Sequence, residues 1–308
     1  MGLKNFINGS LAIHLALFLG RVLSLKTGHR LADWIGAWIA SHSTYIMVQA
    51  VKSNQYLIAG KPTDLEKLES QTRSVFQHVA HSLFDYYYYI RRPEKLKDVI
   101  RLSPEAQTAL FQTDPKQSAI LLIPHLSNFD LMGHALALFG VKVQILSFPT
   151  PNEAYKMQNR LREEVGVVVT PMSLSAFRTA KNRLNEGGYV VTGLDRPIPG
   201  EKPEKYRPKF FGKEANLPVI HVRLAKETNA SVYVMACIAQ GDGTYVLECS
   251  QAFKMEEKPD LEEETIVNAE RLLAEAERFI LKAPDQWAMF YPVWPDVLQE
   301  IKGLQEKA

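Results

Sequence analysis

Four short apolar runs constrain the fold of this chain more than any other feature. Ser118–Ile123, Val141–Leu146, Val167–Thr170 and Tyr189–Leu194 are too short for helices and do not alternate as a strand with one wet face would. Runs of this kind belong to strands buried on both faces. Helical stretches intervene at about 128–139, 152–165 and 173–186, the last stopped by Gly187-Gly188, a common way to end a helix. Strand–helix alternation at this length predicts an α/β fold, with a mostly parallel or mixed central sheet covered by helices. Asn216-Leu217-Pro218 predicts another helix start, with Asn as N-cap and Pro in the first turn. Gln240-Gly241-Asp242-Gly243 joins two alternating runs, Ser231–Ala239 and Thr244–Cys249, as a hairpin. A long acidic helix follows, at about 262–282.

The 308 residues are 46% apolar and 23% charged, which supplies an ordinary globular core. No linker rich in Gly, Ser or Pro interrupts the chain. The expectation is therefore one domain over 1–308, with a helical region over 1–100 and an α/β core over 115–300. Thirty-six basic and 34 acidic residues leave a charge of +2, so bulk electrostatics give no ground for binding nucleic acid. Cys237 and Cys249 are the only cysteines. They exclude a disulfide framework and a cysteine-based zinc site, and make a reducing compartment the expectation.

Charge is unevenly distributed. Residues 1–61 carry six basic groups against Asp33 alone, whereas residues 254–308 carry seven basic and thirteen acidic groups. Lys4 and Lys26 enclose 21 mostly apolar residues, just enough for a helix to span about 30 Å of hydrocarbon. Ser10, His14, Arg21 and Ser24 fall within an arc of roughly 80° on that helix, and an arginine at membrane depth is costly. An in-plane interfacial helix over about 5–25 fits better than a span. A cleaved signal peptide is not expected, because no small-x-small site follows the apolar run. The basic rim suits an anionic membrane surface, where each Lys or Arg contributes about 1 kcal/mol. Trp34, Ile35, Trp38 and Ile39 continue this face on the next helix. Asp64 to Ile90 is periodic, with Leu65, Leu68, Val75, Val79 and Leu83 spaced for burial, and Tyr86 to Tyr89 must point to all sides of the helix. His78 and His81 have no third ligand nearby and are read as packing or surface residues, as are His134 and His221.

Chemistry concentrates in Pro124-His125-Leu126-Ser127-Asn128-Phe129-Asp130. The segment leaves a buried strand and opens a helix, with Ser127 or Asn128 as N-cap. Ligands of α/β sheets bind beyond the carboxyl ends of the strands, where His125 falls. Asp130, in the first helical turn, can reach back to the imidazole. A carboxylate on one ring nitrogen fixes the tautomer and raises the basicity of the other, giving a general base for a hydroxyl. A structural histidine capping the turn is the alternative reading. No Gly-x-Ser-x-Gly elbow occurs, so no covalent nucleophile is implied. Between Arg196 and Lys213 six basic and two acidic residues share a loop with Pro197, Pro199, Pro203 and Pro208. Such a loop, with Arg207 and Lys209 near its centre, is a candidate clamp for an anionic donor or an acceptor phosphate.

His-x-x-x-x-Asp directly after a buried strand resembles the signature of the glycerolipid and lysophospholipid acyltransferase superfamily. Within it, the chain is most similar to the bacterial lipid A biosynthesis acyltransferase branch, which also holds the phosphatidylinositol mannoside acyltransferases. The resemblance extends through Arg162-x-x-x-Gly166, Leu184-x-x-Gly187 leading to Asp195, and Pro208-Lys209-Phe210-Phe211-Gly212. Thr228-Asn229-Ala230 and Pro284-Asp285-Gln286-Trp287 followed by Trp294 complete it. It implies a membrane-associated O-acyltransferase on the cytoplasmic face of the inner membrane, needing no cofactor. A fatty acyl chain would pass from a thioester of acyl-carrier protein or coenzyme A to a hydroxyl of a glycolipid or lysolipid. His125 would be the base and Asp130 its orienting partner; Asn128, Arg162, Asp195, Arg196, Arg207 and Lys209 are the substrate-site candidates. Gly193-Leu194-Asp195-Arg196-Pro197 stands where simple glycerol-phosphate acyltransferases carry a Phe-Pro-Glu-Gly-type motif, which disfavours glycerol 3-phosphate as acceptor. A lipid ester hydrolase using the same residues, and a catalytically inactive lipid-binding protein, are the competing readings.

Overall fold

A computed structural model of the chain describes residues 10–111, 118–198 and 205–305. Lys4 and the start of the interfacial segment lie outside these residues, as does 199–204 of the basic loop. Helices α1 (Ser10–Val22), α2 (Leu25–Ala40), α3 (Ile46–Ile58), α4 (Leu65–Tyr89) and α5 (Pro93–Val99) come first, then strand β1 (Ile100–Leu102) and helix α6 (Pro104–Phe111). Next come β2 (Ala119–Ile123), α7 (Phe129–Leu138), β3 (Val143–Ser147), α8 (Glu153–Glu163), β4 (Val168–Pro171), α9 (Leu174–Asn185) and β5 (Tyr189–Gly193). A small hairpin of β6 (Lys209–Phe210) and β7 (Lys213–Glu214) follows, then α10 (Ile220–Thr228), β8 (Ser231–Ala239), β9 (Tyr245–Cys249), α11 (Leu261–Lys282) and α12 (Val297–Gln305).

The fold is α/β, with seven strands in the order β1-β9-β8-β2-β5-β3-β4. Neighbours run parallel except β8 and β9, the expected hairpin. Alternate residues of a strand face opposite sides of the sheet, and the central strand β2 shows the consequence. Ile120 and Leu122 pack with α9, α10 and α11 on one side; Leu121 packs with α4 to α8 on the other. All three are fully buried, which is why this run is continuously apolar.

The N-terminal helices are organised around α4, against which α1, α2 and α3 pack. Gly36 lets α2 approach this closely, since a Cβ there would lie 2.6 Å from the Cα of Gln77. With Gly28 and Ala32 it forms the buried stripe of α2, and the two tryptophans of that helix, Trp34 and Trp38, face outward. Trp34 is 65% exposed, and Phe18 on α1 is 59% exposed. No helix among the described residues is long and apolar enough to cross a membrane.

Three local expectations need correction. The apolar run Val167–Thr170 is not covered on both faces: it forms β4, the edge strand next to β3, and none of Val168–Pro171 is buried. Leu83 falls on an uncovered face of α4 and is exposed, whereas Tyr86, Tyr87, Tyr88 and Tyr89 are all buried because neighbours surround that end of the helix. Asn216 is not a helix cap: α10 starts after Val219, and the Asn216 amide instead donates to the Ile198 carbonyl at 3.1 Å.

Candidate active site

The register of β2 and β5 builds the site. Ile123 is paired with Gly193, so His125 and Asp195, each two residues beyond, emerge side by side from neighbouring strands. The Asp195 carboxylate is completely buried and accepts three hydrogen bonds. His125 Nδ1 donates at 2.7 Å, the His125 backbone N–H at 2.9 Å and Trp287 Nε1 at 2.8 Å. Burial opposes ionisation of this carboxyl. The charge of His125 and the hydrogen bonds from its ring, from Trp287 and from the His125 backbone outweigh it, holding the carboxyl below its usual range.

A carboxylate only accepts, so Nδ1 carries a proton, and in its neutral form the ring offers the Nε2 lone pair. Nε2 has no hydrogen-bond partner among the described residues, and the side chain is 25% exposed. The imidazole is also held from below. A Cβ on Gly193 would sit 3.1 Å from His125 Cε1, so glycine there leaves room for the ring. Trp287 is fixed in turn by Phe210 and Phe211, at centroid distances of 6.0 and 6.1 Å. This gives the aromatic pair of the β6–β7 hairpin a purpose at the site. Leu126 bridges to Trp287, and the Ala288 N–H donates to the His125 carbonyl at 2.8 Å.

His125 opens onto a cleft of about 1370 Å³ whose walls include Leu146, Phe148, Met172, Phe177 and Val222. Sites for one drug-sized ligand run to about 300–1,000 Å³, so this cleft is larger than one such ligand needs. Arg196 lines it near Phe148. Its guanidinium is sandwiched between the Phe148 and Tyr291 rings at 4.0 and 4.3 Å and donates to the Tyr291 hydroxyl at 2.8 Å.

The remaining candidates are not brought to the cleft. Asp130 does not pair with His125: its carboxylate takes Arg162 Nε and Nη2 at 2.9 and 2.5 Å, and Gln158 Nε2 at 3.1 Å. The first turn of α7 carries it toward α8 and away from the loop. Arg162 is buried in this pair and also donates to Asn159 at 2.7 Å. Burial disfavours its charge, but the Asp130 charge, Tyr155 and the hydrogen bonds to both together outweigh it and hold the guanidinium cationic. The pair ties α7 to α8 and does not line the cleft. Asn128 is the N-cap of α7, accepting from the Leu131 N–H at 3.3 Å, while its amide donates to the Ser82 carbonyl at 2.8 Å. Arg207 faces Glu214 at 3.5 Å, and Lys209 is exposed on β6 with its backbone N–H donating to Glu270; neither reaches the cleft.

Trp287 and Gly193 were absent from the sequence-derived site. For the pairing of His125 with Asp195 a usable signal existed: the apolar runs Ser118–Ile123 and Tyr189–Leu194 are each followed closely by an ionisable residue. In adjacent parallel strands, such residues meet.

Comparison with known proteins identifies the family of the chain. Residues 10–295 match the family described as bacterial lipid A biosynthesis acyltransferase. The chain belongs to this family. Among curated proteins it is similar to the phosphatidylinositol mannoside acyltransferase of Mycolicibacterium smegmatis, with 25% identity over 59% of this chain and 58% of that protein. The protein of the same name from Mycobacterium tuberculosis is 26% identical over 61% of this chain and 58% of its own length. The chain thus spans a little under three-fifths of the curated relatives it matches.

Proposed function

We propose that this protein is a membrane-associated O-acyltransferase acting on a glycolipid or lysolipid hydroxyl, with an acyl thioester as donor. The observation that carries the reading is His125. Its Nδ1–H is bound to a buried carboxylate, and its unpartnered Nε2 belongs to a ring that lines a large apolar cleft. Nε2 takes the proton of the acceptor hydroxyl as the oxygen attacks the thioester carbonyl carbon. The tetrahedral intermediate then collapses, the C–S bond breaks, and the leaving thiolate takes the proton back from His125. Asp195 stabilises the imidazolium formed between these steps and keeps the ring in register. The products are an ester and a free thiol, and no cofactor beyond the thioester co-substrate is required.

The donor in this reading is acyl-carrier protein or coenzyme A, and the acceptor a glycolipid of the class named in the mycobacterial relatives. The apolar cleft walls support transfer over hydrolysis, since an acyl chain filling them would exclude competing water. Outward-facing Trp34, Trp38 and Phe18 on the basic N-terminal helices support attachment to an anionic membrane surface. The reading puts the enzyme at the cytoplasmic face of the inner membrane.

Palmitoyl-coenzyme A consumption, followed by thiol release with and without a lysolipid or glycolipid acceptor, tests the proposal. Thiol release that requires both acceptor and His125, with one ester formed per thiol, is the expected result. Release that ignores the acceptor would make the protein a hydrolase. No consumption of any thioester would leave only a lipid-binding role.

A further inference from the structure

One wall of the cleft carries charges that the reaction at His125 does not use. Arg178 and Lys181 lie three residues apart on α9, and Arg223 and Lys226 three apart on α10, so each pair shares a helix face. The two helices pack together, and all four side chains line the same cleft as His125. Glu227 is the only carboxylate among the described lining residues. It bridges the helices, accepting from Lys181 at 2.9 Å and from Arg223 at 2.7 Å. Lys226 is bonded to Glu264, and the Arg223 guanidinium lies 5.4 Å from the Phe177 ring centroid. Arg178 has no hydrogen-bond or ion-pair partner among the described residues. Four cations against Glu227 and Glu264 leave this wall with two unneutralised positive charges.

We propose that Arg178, Lys181, Arg223 and Lys226 form a phosphate-binding arm of the cleft, into which a phosphate-bearing substrate extends while its reacting group lies at His125. An arginine fork and a neighbouring ammonium match the oxygens of a phosphate. The Glu227 bridge holds Lys181 and Arg223 in place before the ligand arrives, and a dianion matches the excess charge. Exposed ion pairs of this kind are individually weak, so a phosphate can take over their donors at little cost. The basic loop after Arg196 is less suited. Its Lys205, Arg207 and Lys213 face Glu262, Glu214 and Asp296, and of its described cations only Arg196 lines the cleft. Phosphate reaches this reaction from two sources, a phosphopantetheine-type donor or the acceptor headgroup. Assigning it to the donor rests on the acyl-transfer reading; the phosphate arm itself does not.

Equilibrium binding of free coenzyme A to the full chain separates these points. Arg178→Glu combined with Arg223→Glu should weaken binding by about tenfold or more, with a larger effect at 50 than at 300 mM salt. Circular dichroism and thermal melting establish that the variant is folded. Arg178→Gln alone, which breaks no described contact, should give a smaller loss in the same direction. In turnover, kcat/KM should fall at least tenfold more with palmitoyl-coenzyme A than with palmitoyl-N-acetylcysteamine, which has no phosphate. If the loss instead follows the phosphate of the acceptor, with a phosphate-free alcohol as control, the arm holds phosphate but serves the acceptor. Weaker coenzyme A binding by the variant, when wild type consumes no thioester, would sink acyl transfer and leave the arm standing. Wild-type protein that fails to bind coenzyme A or a phosphate-bearing acceptor, or variants that bind as wild type does, would overturn the arm.

Discussion

Replacing Asp195 by Asn isolates the group that orients the base. Three donors converge on this carboxylate: Oδ2 receives the His125 N–H and the Trp287 Nε1–H, and Oδ1 receives His125 Nδ1–H. An amide has one oxygen, and it meets more donors in the Oδ2 position. The NH2 group then turns toward Nδ1, which must give up its proton and accept. Nε2 becomes the protonated nitrogen, and the cleft loses its base. Keeping Nδ1 protonated sets donor against donor and forfeits a charge-assisted bond worth about 1.5–3 kcal/mol. The expected outcome is a folded protein whose acceptor-dependent thiol release is slower by about 10²- to 10⁴-fold, the upper figure being what this swap costs in a Ser-His-Asp enzyme. Asp130→Asn is the matched control. It leaves the buried Arg162 cation without its carboxylate, so stability measured by urea denaturation should fall by about 3–5 kcal/mol. The reasoning fails if Asp195→Asn turns over at the wild-type rate while Asp130→Asn is inactive and as stable as wild type. Asp130 would then be the group that orients His125.

Two further outcomes test other parts of the molecule. Trp34→Asp with Trp38→Asp should reduce co-sedimentation with anionic vesicles by about tenfold or more, since both indoles lie outside the core; unchanged partitioning would place the attachment elsewhere. Burial holds His221 down to about 4, and both of its ring nitrogens lack partners. The unfolded chain protonates it near its ordinary 6.5, so its contribution is complete above that pH and is lost on acidification toward 4. Linkage gives about 2 kcal/mol lost by pH 5. Urea denaturation at pH 7.5 and 5 should show this loss in wild type and a smaller one in His221→Leu; equal losses would refute it.

Much of the framework was legible in the sequence because short-range forces write it there. The runs at Ser118–Ile123, Val141–Leu146 and Tyr189–Leu194 became inner strands of the sheet while Val167–Thr170 became its exposed edge, and Asn128, Asn152, Ser173 and Asp260 cap the helices that follow them. A cap acts across three residues and a helical face repeats within four, so a local window holds the information. The position of His125 just beyond a strand was likewise a local fact. Its partner was not. Asp130 is five residues away in the chain, but the α7 helix directs its carboxylate to Arg162. Asp195, 70 residues away, arrives through the pairing of Ile123 with Gly193. The four buried tyrosines and the cations of α9 and α10 follow the same logic, since each depends on which elements become neighbours. Strand order and helix packing are settled by burial across the whole chain, where every local segment has several acceptable partners and only the assembled core selects among them.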